Sequence, residues 1–408
     1  MKPLGPIPAG FQTLHGELAI DGQTASELVA QVGSTPLFVY SSARVRDRVA
    51  DLRAAMPDAL GLNYAVKANP YGPILKLFSS LIEGFDIASA GELRLLQAAG
   101  IASDRVSFAG PGKRIDELEA AIEAGVTLNL ESAGEADRAL AVAERLGKTP
   151  RLAIRVNPDF DLKGSGMKMG GGAKPFGVDS EQVPALARRL IAAGAEWRGF
   201  HIFAGSQSLD SEAIAATQAE TLALAAKLAD ESGAALPHCN LGGGLGIPYF
   251  PGDTPVDLAL VGGRLAGAFG KLPDVLAETR FHMEMGRYLV GEAGIYLTRI
   301  VDRKTSHGET FIVVDGGLHH QLAATGNFGT VVRRNYPVAI ANRFGDPVEE
   351  EVSIVGCLCT PLDRIADKAG FPRADVGDLV AVFCAGAYGA TASPAAFLGH
   401  GPAAEILI

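Results

Sequence analysis

Aromatic residues are scarce in this chain, at 7% with a single tryptophan, and there are only four cysteines, Cys239, Cys357, Cys359 and Cys384. Four thiols in 408 residues are too few for a disulfide framework. No C-x-x-C pair supports structural zinc either, so the sequence leads us to expect reduced thiols and no metal. No stretch approaches the roughly 18 uncharged apolar residues of a membrane-spanning helix. The N-terminal Met-Lys-Pro-Leu-Gly-Pro lacks the apolar centre of a signal peptide. Basic residues come at most in pairs such as Arg188-Arg189 and Arg333-Arg334, and the net charge is −10, which argues against nucleic acid or an anionic membrane as partner. Internal repeats and low-complexity tracts are also missing. These absences leave a globular, cytoplasmic protein as the expectation.

What is present is a large apolar fraction, 48%, and 50 glycines. That much glycine implies loops with close backbone approach or positive φ. From residue 37 onward, short apolar runs alternate with amphipathic stretches. The runs are Leu62–Val66, Phe85–Ala88, Val106–Ala109, Thr127–Leu130, Leu152–Val156, Gly199–Phe203, His238–Leu241 and Phe281–Met285. Helical spacing marks the segments between them, among them Gly91–Ala99, Ile115–Ala124, Gly134–Leu146, Glu181–Ala192 and Glu212–Glu231. Eight such strand–helix units predict a (β/α)8 barrel over 37–285. After residue 286 the runs Tyr288–Ile300, Thr310–Val314, Glu351–Cys357 and Asp378–Phe383 are separated by turns, which predicts a β-rich domain. The isolated strand Gly16–Ile20 is expected to join its sheet, giving a second domain of 1–36 plus 286–408. Gly164–Gly177 is a glycine-rich irregular loop, expected to be mobile or ligand-facing.

In a parallel barrel, chemistry collects just past the C-terminal ends of the strands. Pro70 cannot continue a central strand, so the first strand ends near Lys67, either a solvated residue beside a turn or an amine held in a pocket. The sixth run ends at His201 with Ser206 close behind, the seventh at Gly242-Gly243-Gly244, and the eighth at Glu284 followed by Gly286-Arg287. Each has an ordinary structural reading: a core histidine, a tight turn, a carboxylate paired with Arg287. Together they suit pyridoxal phosphate, which needs a lysine, backbone donors for its phosphate and an acid for its ring nitrogen. An imidazole also offers a flat ring for stacking.

The motifs resemble those of the fold-type III pyridoxal phosphate decarboxylases, the group of diaminopimelate, ornithine and arginine decarboxylases. The residues that carry the resemblance are Tyr64-Ala-Val-Lys67-Ala-Asn69, Phe85-Asp86-Ile-Ala-Ser89 with Gly91-Glu92-Leu93, and Arg155-Val-Asn157-Pro. It continues through His201 to Gln207, Gly242 to Tyr249, Glu284 to Arg287, and Gly386-Ala-Tyr388-Gly. It implies an alanine-racemase-like (β/α)8 barrel plus a C-terminal β-domain. It also implies that Lys67 carries the cofactor, that His201 stacks on its ring and that Glu284 pairs with the ring nitrogen. Ser206, Gly243, Gly244 and Tyr388 would hold the phosphate, with Asp86, Gly286 and Arg287 completing the cofactor site. Active sites in such a family are shared across a homodimer.

The segment Gly356-Cys-Leu-Cys359-Thr360-Pro361-Leu-Asp363 resembles the family's Cys-Glu-Ser-x-x-Asp element, which the partner subunit supplies. Cys359 then becomes the proton donor after carbon dioxide leaves, and Asp363 a substrate contact alongside Arg287, Tyr388, Arg333 and Tyr336. Arg333 and Arg334 read equally well as a solvated basic turn. The glutamate that grips the distal amine of diaminopimelate is replaced here by Thr360-Pro361. That departure, the two extra residues in His201–Gln207, and Met285 in Glu284-Met285-Gly-Arg bring the chain nearest to decarboxylases associated with the exosortase system or acting on a carrier-bound glutamyl group. The expected activity is decarboxylation of a small amino acid or an acyl-carrier-protein-bound derivative. The alternatives are an amino-acid racemase on the same barrel and a non-catalytic regulator.

Overall fold

The computed structural model describes residues 1–327 and 333–408. It divides into two compact units: 49–246 with 255–286, and 1–48 with 247–254 and 287–408.

The first unit is the parallel barrel. Its strands are β1 (Leu60–Ala65), β2 (Gly84–Ile87), β3 (Val106–Phe108), β4 (Thr127–Leu130), β5 (Arg151–Asn157), β6 (Glu196–Ile202), β7 (His238–Asn240) and β8 (Arg280–Met285). Neighbours in sequence pair in parallel, and β8 pairs with β1 to close the ring. Strands covered on both faces need apolar side chains throughout, which is why they read as continuous runs rather than alternating ones. Helices follow with local signals of their own. Ser89, Ser132, Asp210 and Asp257 cap the helices beginning at Ala90, Ala133, Ser211 and Leu258, each side chain accepting from a first-turn N–H. Left-handed Gly125, Gly147 and Gly233 end three of them.

The second unit is built on a mixed sheet in the order Val338–Ile340, Leu379–Val382, Gly294–Ser306, Glu309–Val314, Glu350–Val355, Arg364–Phe371. Leu37–Tyr40 pairs with Gly294–Ser306 on one side and with Ala404–Leu407 on the other. The start of the barrel domain expected at residue 37 therefore differs from the observed division at 48/49: Leu37–Tyr40 lies in the β-rich unit. Gly16–Ile20 also departs from expectation. Gln12–Leu14, Glu17–Ile20 and Gln23–Thr24 form a small antiparallel sheet of their own. The reason is turn chemistry: His15-Gly16 and Asp21-Gly22 all take positive φ, the signature of two-residue type I′ hairpin loops, so the strand's hydrogen bonds are used locally. Its side chains still reach the unit's core, where Leu18 and Ile20 pack with Leu37, Val39, Ile295, Leu379 and Phe383. The strand expected from Tyr288 begins only at Gly294, after a short helix at Arg287–Val290. An apolar run without a clear period does not separate helix from strand. Gly294 marks the change because a Cβ there would come 2.3 Å from the Gly386 Cα.

Among the described residues, no helix is long and apolar enough to cross a membrane.

A bulge interrupts β6 between Trp197 and Gly199, two residues before His201. Gly199 has φ of +100°, and a Cβ there would sit 1.9 Å from the His238 carbonyl oxygen on β7. Gly199→Ala is expected to cost about 3 kcal/mol or more, from strain and overpacking together. Denaturant unfolding checks this, and a variant within ~0.5 kcal/mol of the parent would contradict the close approach.

Candidate active site

At the C-terminal ends of the barrel strands lies a cavity of about 280 Å³, lined among others by Lys67, Asp86, Arg155, His201, Phe203 and Glu284. Strand periodicity delivers most of these: Asp86 on β2, Arg155 on β5, His201 on β6 and Glu284 on β8 each stand near the end of their strand. Lys67 arrives differently. β1 stops at Ala65, and Val66–Ala68 form one 3-10 turn before Pro70, so the lysine leaves the sheet on a turn and not on the strand itself. Its Nζ lies 5.9 Å from the centre of the Phe203 ring.

His201 Nε2 is 2.7 Å from Glu284 Oε2, with both residues buried. Burial alone would push the Glu284 carboxyl up. His201, with Lys67 and Arg155 behind it, outweighs that and holds it well below the ordinary carboxylate range. Glu284 is thus the acceptor and His201 Nε2 the donor. Asp86 goes the other way: burial and the Glu284 charge raise its carboxyl well above the ordinary value, against opposing help from Asn63, Ser107 and Lys67. One cavity therefore contains two carboxyl groups shifted in opposite directions, the separation expected where acid and base roles differ.

The glycine turn after β7 is explained by contact as well as by φ. Gly242 and Gly244 have φ of +72° and +100°, and a Cβ on Gly243 would stand 2.0 Å from the Glu284 carbonyl oxygen. The Glu284 N–H donates to the Gly242 carbonyl at 2.8 Å, so the turn is laced to β8 at the carboxylate's own residue. Ser206 pairs through its backbone with Met167, and the Ser208 N–H donates to the Gly244 carbonyl at 2.9 Å, which ties the serine segment to the same turn. Met169 and Phe176 of the Gly164–Gly177 loop line the cavity.

Three participants had gone unassigned. Arg155 Nη1 donates to Glu131 Oε1 at 2.9 Å, and the Gly177 N–H donates to Glu131 Oε2 at 3.0 Å. Lys113 is buried against Glu135 at 2.6 Å and donates to the Gly110 and Asn129 carbonyls. Glu131 directly follows β4, so the rule that places chemistry after strand ends would have found it.

The remaining candidates belong to the β-rich unit. Arg287 Nη1 donates to the Tyr249 hydroxyl at 2.7 Å, and its guanidinium lies 4.6 Å from the centre of the Tyr388 ring. Tyr336 is buried against Tyr249 and Phe250. Arg333 donates to the carbonyls of Thr325 and Arg364, and the Arg334 guanidinium covers the Phe250 ring at 3.8 Å. Cys359 is exposed and Cys357 half-buried. Asp363 is buried; its oxygens accept the N–H groups of Leu318 and Leu358 at 2.6 and 2.9 Å. Its carboxylate thus closes the turn that presents Cys359.

The barrel site suits pyridoxal phosphate by its own chemistry. An amine and an ionised carboxylate face one cavity, His201 Nδ1 is buried without a hydrogen-bond partner, and a glycine turn stands beside them. These features define a cofactor-dependent barrel enzyme. Residues 42–291 match the family described as pyridoxal-dependent decarboxylase, pyridoxal binding domain. The chain belongs to this family and is a pyridoxal-phosphate-dependent amino-acid decarboxylase. It is 35% identical to the L-glutamyl-[BtrI acyl-carrier protein] decarboxylase of Niallia circulans, over 91% of this chain and 88% of that one. It is 32% identical to the diaminopimelate decarboxylase of Archaeoglobus fulgidus, over 98% and 93%. Among solved structures, AQ1208 of Aquifex aeolicus superposes with a TM-score of 0.81 at 32% identity, covering 98% of this chain and 92% of that one.

The opposed carboxyl shifts set a pH test. A group raised on folding adds stability below its unfolded value and loses it as pH rises. Asp86→Asn should therefore stabilise the cofactor-free protein at pH 7, with the gain vanishing towards pH 4. Glu284 is depressed, so Glu284→Gln should destabilise at pH 7, the loss shrinking as pH falls below about 4.5. Unfolding free energies of both variants across pH 2–8 check the two signs.

Proposed function

We propose that this enzyme decarboxylates an α-amino acyl group, of glutamyl type, tethered to a carrier protein. The observation that carries the reading is the turn at Cys359. Thr360 and Pro361 supply no carboxylate there, and the Asp363 carboxylate is taken by the Leu318 and Leu358 N–H groups. A free diamino acid would present a distal ammonium to be matched, and desolvating it without an acidic partner is costly. A tethered acyl group has no such need. The similarity to a relative named for a carrier-bound glutamyl substrate supports the same reading.

When bound, pyridoxal phosphate supplies an electron sink for the bond to the departing carboxylate. The chain's residues do the rest. Lys67 would hold the cofactor through its amine. Glu284, ionised, favours a protonated ring nitrogen, and His201, fixed by its bond to Glu284, presents its ring to the cofactor. Asp86, its carboxyl raised by burial and by Glu284, stands beside them. Ser206 and the turn at Gly243-Gly244 take the phosphate, with Gly286, Arg287 and Tyr388 assisting. Arg287, Tyr388, Arg333 and Tyr336 contact the substrate. Cys359 Sγ delivers the proton to the α-carbon in a cytoplasmic homodimer, each chain lending its cysteine to the other's site.

Carbon dioxide release decides the substrate. Carrier-bound glutamate should turn over while free glutamate, diaminopimelate, ornithine, lysine and arginine do not; efficient turnover of free diaminopimelate with an inert carrier substrate would defeat the reading. Cys359→Ala should lower kcat by roughly 10²–10⁴ with cofactor content unchanged. Lys67→Ala should abolish covalent cofactor attachment, seen by mass after borohydride reduction.

A further inference from the structure

A second cluster of chemically capable side chains lies in the β-rich unit. His319, Cys357 and His400 come from three separate segments, and their ligand atoms all lie within 4.8 Å of one another. His319 is wholly buried, yet neither of its ring nitrogens has a hydrogen-bond partner. A buried imidazole left unsatisfied in this way is rare unless something is to occupy the space. Its neighbour His320 is fully engaged, with Nδ1 at 3.0 Å from the Tyr296 hydroxyl and Nε2 donating to the Gly401 carbonyl at 2.9 Å. Stacking does not account for His319 either, since its ring is tilted by 42° to both His320 and His400. Cys357 Sγ stands 4.0 Å from His400 Nε2 and makes one long contact, 3.5 Å, to the Asp315 carbonyl.

We propose that His319, Cys357 and His400 form a binding site for a divalent ion of the zinc class, with water or a further ligand in the fourth position. Two imidazoles and one thiolate are a borderline-soft set that suits Zn²⁺ and disfavours Mg²⁺ or Ca²⁺, which require oxygen. Tetrahedral coordination at ordinary Zn–N and Zn–S lengths puts ligand atoms roughly 3.3–3.7 Å apart, a small contraction from the present spacing. On binding, the Cys357 thiol loses its proton to solvent and the sulfur–metal bond replaces the S–H bond. The ion would pin the Gly399–Gly401 segment to the turn that runs from Cys357 to Asp363, and so order the neighbourhood of Cys359. The sequence shows no C-x-x-C spacing because each ligand comes from a different part of the fold.

Metal content tests the site independently of substrate. Untagged, cofactor-loaded protein is stripped with a chelator and dialysed against Zn²⁺. One equivalent per chain is expected, with affinity falling at least tenfold in Cys357→Ser and His319→Gln and unchanged in Cys239→Ser. Co²⁺ should give a thiolate charge-transfer band that Cys357→Ser lacks. The wild-type chain gives a second readout should a variant misfold: Zn²⁺ should slow alkylation of Cys357 at least tenfold. No stoichiometric Zn²⁺ on the wild type, undiminished binding in Cys357→Ser, or equal alkylation with and without the ion would each overturn the proposal.

Discussion

Two buried carboxyl groups in one cavity oppose each other's ionisation, and the barrel site is arranged around that constraint. Glu284 keeps its charge because His201 Nε2 bonds to it and Lys67 and Arg155 add positive potential. The Asp86 carboxyl is pushed the other way, because burial and the Glu284 charge both oppose its ionisation. Electrostatics in a low-dielectric pocket make such pairings strong and unpaired groups costly. The His201–Glu284 bond therefore fixes the charge that opposes ionisation of Asp86, and everything that holds β6 and β8 in register supports it.

That register depends on backbone contacts that only glycine permits. Gly243 lets the turn after β7 touch the Glu284 carbonyl, and Gly199 lets β6 touch β7 just before His201. The glycines thus explain the placement of the histidine and the carboxylate before any ligand is considered. Around the rim, Glu131 gathers Arg155 and the Gly177 N–H, so the loop Gly164–Gly177 is anchored at its end as well as along Met169 and Gly170, whose N–H groups donate to the Ala204 carbonyl. A segment that looks unstructured by composition is held by backbone hydrogen bonds.

Much of the barrel was legible in the chain because the strands are largely buried and several of the helices carry their own caps. The strand runs at Thr127–Leu130 and Phe281–Met285 needed no tertiary information to be seen. Lys67, His201 and Glu284 could be named from position alone, since parallel strands deliver their terminal residues to one mouth. The misplaced pieces failed for local reasons. Gly16–Ile20 closes a hairpin through His15-Gly16 and Asp21-Gly22, and Leu37–Tyr40 looks like any barrel run because a buried strand in a mixed sheet has the same composition.

The sequence by itself determined the barrel, the β-rich partner unit and the family, because periodicity, caps and motif order are written residue by residue. Tertiary structure alone decided in which direction each carboxyl is shifted, since that depends on distances between β2, β6 and β8 and not on residue type. It alone showed that the Asp363 carboxylate is spent on the Leu318 and Leu358 N–H groups. And it alone brought His319, Cys357 and His400 together from three distant segments, a proximity that no spacing in the chain encodes.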